Sequence, residues 1–120
     1  MHLSLLLFAL AAAVGLWLAT RAARARSVPT TVAVLHGLLA GGGIVALFAA
    51  IARGAPGRTG MMPTLTLAVF IVAAIVGLIL FGSQLRRRPL SMPLIVIHAV
   101  AALSALALLA LAAMAAAPPG

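Results

Sequence analysis

Four apolar runs, at about residues 3–20, 30–52, 64–84 and 92–116, take up most of this 120-residue chain. Each is close to the roughly 20 residues that an α-helix needs to cross the hydrocarbon core of a bilayer. In that medium no water satisfies a backbone N–H or C=O, so a spanning run must bond its own backbone as a helix. The connectors read "TRAARARSVPT", "RGAPGRTGMMP" and "SQLRRRPLSMP". Each holds Arg, Pro and either Gly or Ser, the residues that close one helix and open the next. The expected fold is an all-α integral membrane protein, a bundle of four antiparallel transmembrane helices in a single domain over residues 1–120.

Composition removes the other fold classes and many functions. The chain is 66% hydrophobic and 7% charged, whereas a soluble domain of this size carries roughly 25% charged residues. There are eight Arg, no Asp or Glu, and no Cys or Tyr. Paired-carboxylate acid/base chemistry, carboxylate cages for Ca²⁺ or Mg²⁺, and thiolate chemistry therefore have no residues to work with. An enzyme acting alone is not expected. The net charge of +8 sits where helix ends meet water, which points to lipid headgroups rather than nucleic acid.

The arginines also orient the chain. Arg21, Arg24 and Arg26 lie in the first connector and Arg86, Arg87 and Arg88 in the third, against Arg53 and Arg58 in the second. The positive-inside rule then places both termini on the non-cytoplasmic side. The first run follows "MHLS", which has no basic segment, so it reads as a retained span rather than a signal peptide. Trp17 reads as an interfacial anchor, His2 as an exposed terminal residue, and the tail "AAAPPG" as frayed.

Shifting the chain by 62 residues lays "FALAAAVGLWL" (8–18) over "FIVAAIVGLIL" (70–80) without a gap. Phe8/Phe70, Gly15/Gly77, Arg24/Arg86, Arg26/Arg88 and His36/His98 coincide in that register. Ala and Leu matches mean little in such a chain, but Gly, Arg and His falling together imply a duplicated two-helix hairpin. Repeat 1 would cover about 1–58 and repeat 2 about 63–120. An even number of spans per unit makes these parallel repeats, related by an axis along the membrane normal.

That register puts His36 and His98 at one depth, and ionisable residues within a span are a functional hypothesis by default. Toward the non-cytoplasmic side, the His36 face continues through Ala40, Gly43 and Leu47, and the His98 face through Ala102, Ala105 and Leu109. Two imidazoles flanked by small residues on facing helices are suited to clamping a b-type haem as its two axial ligands. Arg24, Arg26, Arg86 and Arg88 would lie near the haem propionates as charge-assisted partners. An electron carrier or redox subunit is the function this implies. The same residues also fit a ligand-free role, in which each His bonds a backbone carbonyl or Ser104 and the Ala/Gly seams bind other subunits or a second copy. A quinone site or a pigment with one axial His is a further alternative.

The segments "RRRPLSMPLIVIHAVAAL" and "ARSVPTTVAVLHGLLA" resemble those of small four-span bacterial membrane proteins, in which an Arg-and-Pro turn leads into a His-bearing helix. That resemblance implies a bacterial inner (plasma) membrane and no particular activity. At His36, His98 and the small residues beside them the chain also resembles membrane cytochromes b, whose haems are held by histidines on facing helices. Those cytochromes usually carry more than one His pair, so the likeness implies one haem here at most.

Overall fold

In a computed structural model of the chain, residues 1–54, 60–116 and 120 are described. They form four helices: α1 (His2–Ala23), α2 (Thr30–Ala52), α3 (Met61–Leu85) and α4 (Met92–Ala115). With 22 to 25 residues each, the helices are about 33–38 Å long at 1.5 Å per residue. All four are long and apolar enough to cross a membrane. Arg58, part of the charge count of the second connector, and residues 117–119 of the tail lie outside the described residues.

Helix boundaries follow the local chemistry. Pro29 immediately precedes α2, while Pro63 and Pro93 fall in the first turns of α3 and α4. First-turn N–H groups have no partner within the helix, so proline costs little there. This is why α3 begins at Met61 rather than after Pro63. Ser91 accepts a hydrogen bond from the Leu94 N–H and caps α4. At their other ends, α1 and α3 close in the same way. Arg26 N–H donates to the Arg21 carbonyl and Ala25 N–H to Ala22, while Arg88 N–H donates to Ser83 and Arg87 N–H to Gln84. Both turns place an L-residue in the left-handed region, Ala25 at φ 52° and Arg87 at φ 54°, where glycine is the usual occupant.

Each helix packs on two neighbours. α1 lies against α2 and α4, and α3 against α4 and α2, with the α1–α2 and α3–α4 pairs in the more extensive contact. His36 of α2 lies against Gly15 of α1, and Gly43 of α2 lies against Phe8 of α1. Among the described residues the diagonal pairs have no close backbone approach, so only side chains cross the middle. Phe8 and Phe70 do so with stacked rings, 3.6 Å between centres. Together with Leu47, Ala105 and Leu109 they form the buried core. Gly43 is what admits Phe8, since a Cβ there would stand 2.8 Å from its ring, well inside the ordinary carbon–carbon separation of about 3.5–4.0 Å.

Candidate cofactor-binding site

The second ring pair crosses the other diagonal. His36 of α2 and His98 of α4 both point into the bundle, with ring centres 5.9 Å apart and planes inclined at 79°. Nδ1 of His36 lies 2.8 Å from the Ala11 carbonyl oxygen on α1. Nδ1 of His98 lies 2.7 Å from the Ala73 carbonyl on α3. A carbonyl only accepts, so in each pair Nδ1 is the donor; in the neutral ring Nε2 then keeps the lone pair. Metal-binding histidines are commonly oriented by such a bond from their second nitrogen.

Two glycines make these ring positions possible. A Cβ on Gly15 would sit 2.7 Å from Cε1 of His36, and one on Gly77 would sit 3.0 Å from Cε1 of His98. A side chain at Gly15 would force the His36 ring to shift against the carbonyl one turn away, and one at Gly77 would crowd the His98 ring less severely. In the sequence this glycine pair stands out only as a match between the two halves. The signal was there, because Gly15 and Gly77 fall in the same 62-residue register as the histidines. What it lacked was a reason for glycine.

Beside the rings lies a cavity of about 460 Å³, lined mainly by small and aliphatic residues of all four helices. That is within the range of roughly 300–1,000 Å³ typical of small-molecule sites. Both histidines line it, as do Ala40 and Ala102. Gly43 and Ala105 are buried beyond its lining, in the layer where Gly43 meets Phe8 and Ala105 joins the core cluster. The structure thus divides the expected small residues between the wall of the cavity and the packing next to it. At the connector end, Gln84 also lines the cavity and donates from Nε2 to the Val28 carbonyl, tying α3 to the α1–α2 connector.

The arginines are placed differently. Arg24, Arg26, Arg86 and Arg88 are exposed and none lines the histidine cavity. Arg86 and Arg88 instead border a separate outward groove along α3 with Ile75, Leu78 and Ile79. Arg21 turns back, its guanidinium 5.1 Å from the Trp17 ring and its Nε–H donating to the Ser27 carbonyl. His2 is exposed at the start of α1, and Ser104 is exposed on α4 with the histidine bonds going elsewhere.

Chemically, the site offers two lone-pair nitrogens, an apolar slot and no acid. Among the described residues no group of three metal-ligating side chains exists, so a bare ion would have few protein donors. A haem iron brings four ligand nitrogens with it and needs only axial partners. With metal–imidazole bonds of about 2 Å, facing nitrogens stand about 4 Å apart and ring centres roughly 6 Å apart. The observed ring centres stand 5.9 Å apart with their planes inclined at 79°. The sequence matches no protein-family model, and no curated protein or solved structure is found to be similar to it.

Proposed function

We propose that this chain is a small integral membrane protein that binds one b-type haem through His36 and His98 and works as an electron carrier or redox subunit. One observation carries the reading: two inward imidazoles, each held through Nδ1 by a backbone carbonyl, stand 5.9 Å apart beside an apolar cavity. A bound haem supplies one-electron chemistry at its iron. The chain's own residues orient the two axial nitrogens and exclude water with an apolar wall. Propionates leaving the slot at the connector end would meet the arginines of the two flanking turns, Arg24 and Arg26 on one side and Arg86 and Arg88 on the other.

The reading includes a fold history and an orientation. Two hairpins of one sequence unit, parallel to each other and each made of antiparallel helices, are supported by recurrence at an interval of 62. The His36–Ala11 and His98–Ala73 bonds, the Gly15 and Gly77 approaches and the two left-handed turns all repeat at it. The arginine asymmetry supports termini on the non-cytoplasmic side of a bacterial inner membrane. A redox partner within that membrane would be required to give or take the electron.

The histidine–carbonyl bonds also favour a second reading, because they satisfy one nitrogen of each ring without any ligand and tie each helix pair together. That would be a ligand-free structural or assembly subunit. Absorption separates the two readings. Protein produced with ample haem should show the Soret and visible bands of a low-spin b-type cytochrome, and His2→Ala should keep them. A colourless protein that also fails to take up added hemin would sink the haem reading, and a partner subunit co-purifying with it would support the second.

A further inference from the structure

The walls of the histidine cavity are unequal. Lining residues can be compared in pairs 62 apart, and several are identical, among them Gly15 with Gly77 and Ala40 with Ala102. Wherever both members line the cavity and differ, the larger residue belongs to the second half of the chain. Ala19 is matched by Phe81, Ala33 by Ile95 and Gly41 by Leu103. In addition, Val34, Leu38 and Ile44 of α2 reach the cavity, whereas the α4 residues at 96, 100 and 106 do not. The hollow is therefore displaced toward α1 and α2. Gln84 braces its mouth from α3 by bonding Val28, and the position 62 earlier is Ala22, which has no side chain able to do so.

From this asymmetry we infer that the site is selective for the orientation of an unsymmetrical planar ligand. The inference rests on the haem reading. An evenly lined clamp would accept protohaem in either of two orientations, related by a half-turn that exchanges its two side edges. Those edges differ in the order of their methyl and vinyl groups. With Phe81 of α3 crowding one edge and Ala19 of α1 leaving room at the other, and with Ile95 and Leu103 over one face against Ala33 and Gly41 over the other, one orientation fits better than its flipped form. A difference of a single carbon in an apolar pocket is enough for about tenfold discrimination or more. Phe81 is then a specificity-determining residue, because Phe for Ala adds a whole ring, the most side-chain atoms of any of these pairs.

Proton NMR of the ferric, haem-loaded protein tests this directly, since each orientation gives its own set of shifted haem-methyl resonances. One set should dominate by about ten to one or more. The double variant Ala19→Phe/Phe81→Ala moves the bulk across the cavity and should reverse the ratio, and Phe81→Ala alone should bring it toward one to one. Two sets of equal intensity in the wild-type protein would overturn the inference while leaving haem binding intact. An unchanged ratio in haem-loaded Phe81→Ala would overturn the role of Phe81. A protein that binds no haem overturns the underlying reading and this inference with it.

Discussion

Around Phe8 and Phe70 the four helices meet through large side chains, with Leu47 and Leu109 wholly buried beside the stacked rings. Around His36 and His98 the same helices present mainly Ala, Gly and aliphatic edges, and a cavity remains. The difference shows how one short bundle can serve two ends. In a bilayer, lipid is as apolar as leucine, so helices gain from each other mainly by close packing and interhelical hydrogen bonds. The filled layer supplies the packing. The hollow layer gives up some of it, and its two His–carbonyl bonds hold α2 to α1 and α4 to α3 beside the cavity. Small residues there make a space between the helix pairs as well as a close approach within each pair.

The sharpest test of that contrast is at the rings. His36→Ala or His98→Ala should abolish the low-spin haem spectrum outright, whereas Leu47→Ala in the filled layer should retain it. Absorption spectra of the three purified variants decide the matter, and a normal low-spin spectrum from either histidine variant would remove that residue from the site.

Next in size are the glycines that admit the rings. Gly15→Ala should weaken haem binding by about 10–100-fold, the scale typical of losing the group that orients a metal ligand. Gly77→Ala should be milder, because its Cβ would lie 3.0 Å from His98 against 2.7 Å for Gly15 and His36. Hemin titration into each variant measures both. Equal, wild-type affinities would show that the His–carbonyl geometry does not control the ligand.

A stability comparison probes the two layers without any cofactor. Leu47→Ala or Leu109→Ala opens a void in packed surroundings and should cost about 2 kcal/mol or more. Leu16→Ala, at a position that is exposed and borders the existing cavity, should cost less than about 0.5 kcal/mol. Thermal unfolding in detergent, followed by circular dichroism, should rank them in that order. Similar losses at both places would mean that the hollow end is as tightly packed as the other.

The smallest effect belongs to the turns that close α1 and α3. Ala25→Gly and Arg87→Gly place the favoured residue at a left-handed position, and each should gain about 1 kcal/mol from relief of the strained conformation. Unchanged melting temperatures in both variants would show that these turns carry no such strain.

Much of the architecture was legible because the bilayer imposes severe rules. Runs without acids and with arginine confined to connectors can satisfy their backbones only as helices, so the number of helices and the start of α2 at Thr30 follow from residue order. The expected extent of α3 fell short by three residues at its start because Pro63 sits inside the first turn, where a proline is tolerated. Helical spacing also put His36 on the face of Ala40, and His98 on that of Ala102. It could not separate Ala40 and Ala102, which line the cavity, from Gly43 and Ala105, which lie in the packed layer. All four share a stripe, and only the position of the Phe8–Phe70 pair along the bundle divides it.

What residue order determined by itself, then, is a four-helix chain for an apolar medium, with two histidines inside the spans. Hydrophobic length and hydrogen-bond satisfaction are local properties, and a sequence displays them. The tertiary structure decided which carbonyls receive the imidazoles, why a side chain at Gly15 or Gly77 would crowd a ring, and that the expected arginines stand outside the cavity. It also decided that the cavity leans toward α1 and α2. Each of these depends on how far one helix is rotated and slid against another. Packing of large residues such as Phe8, Phe70, Leu47 and Leu109 at a distance from the site sets that rotation and slide.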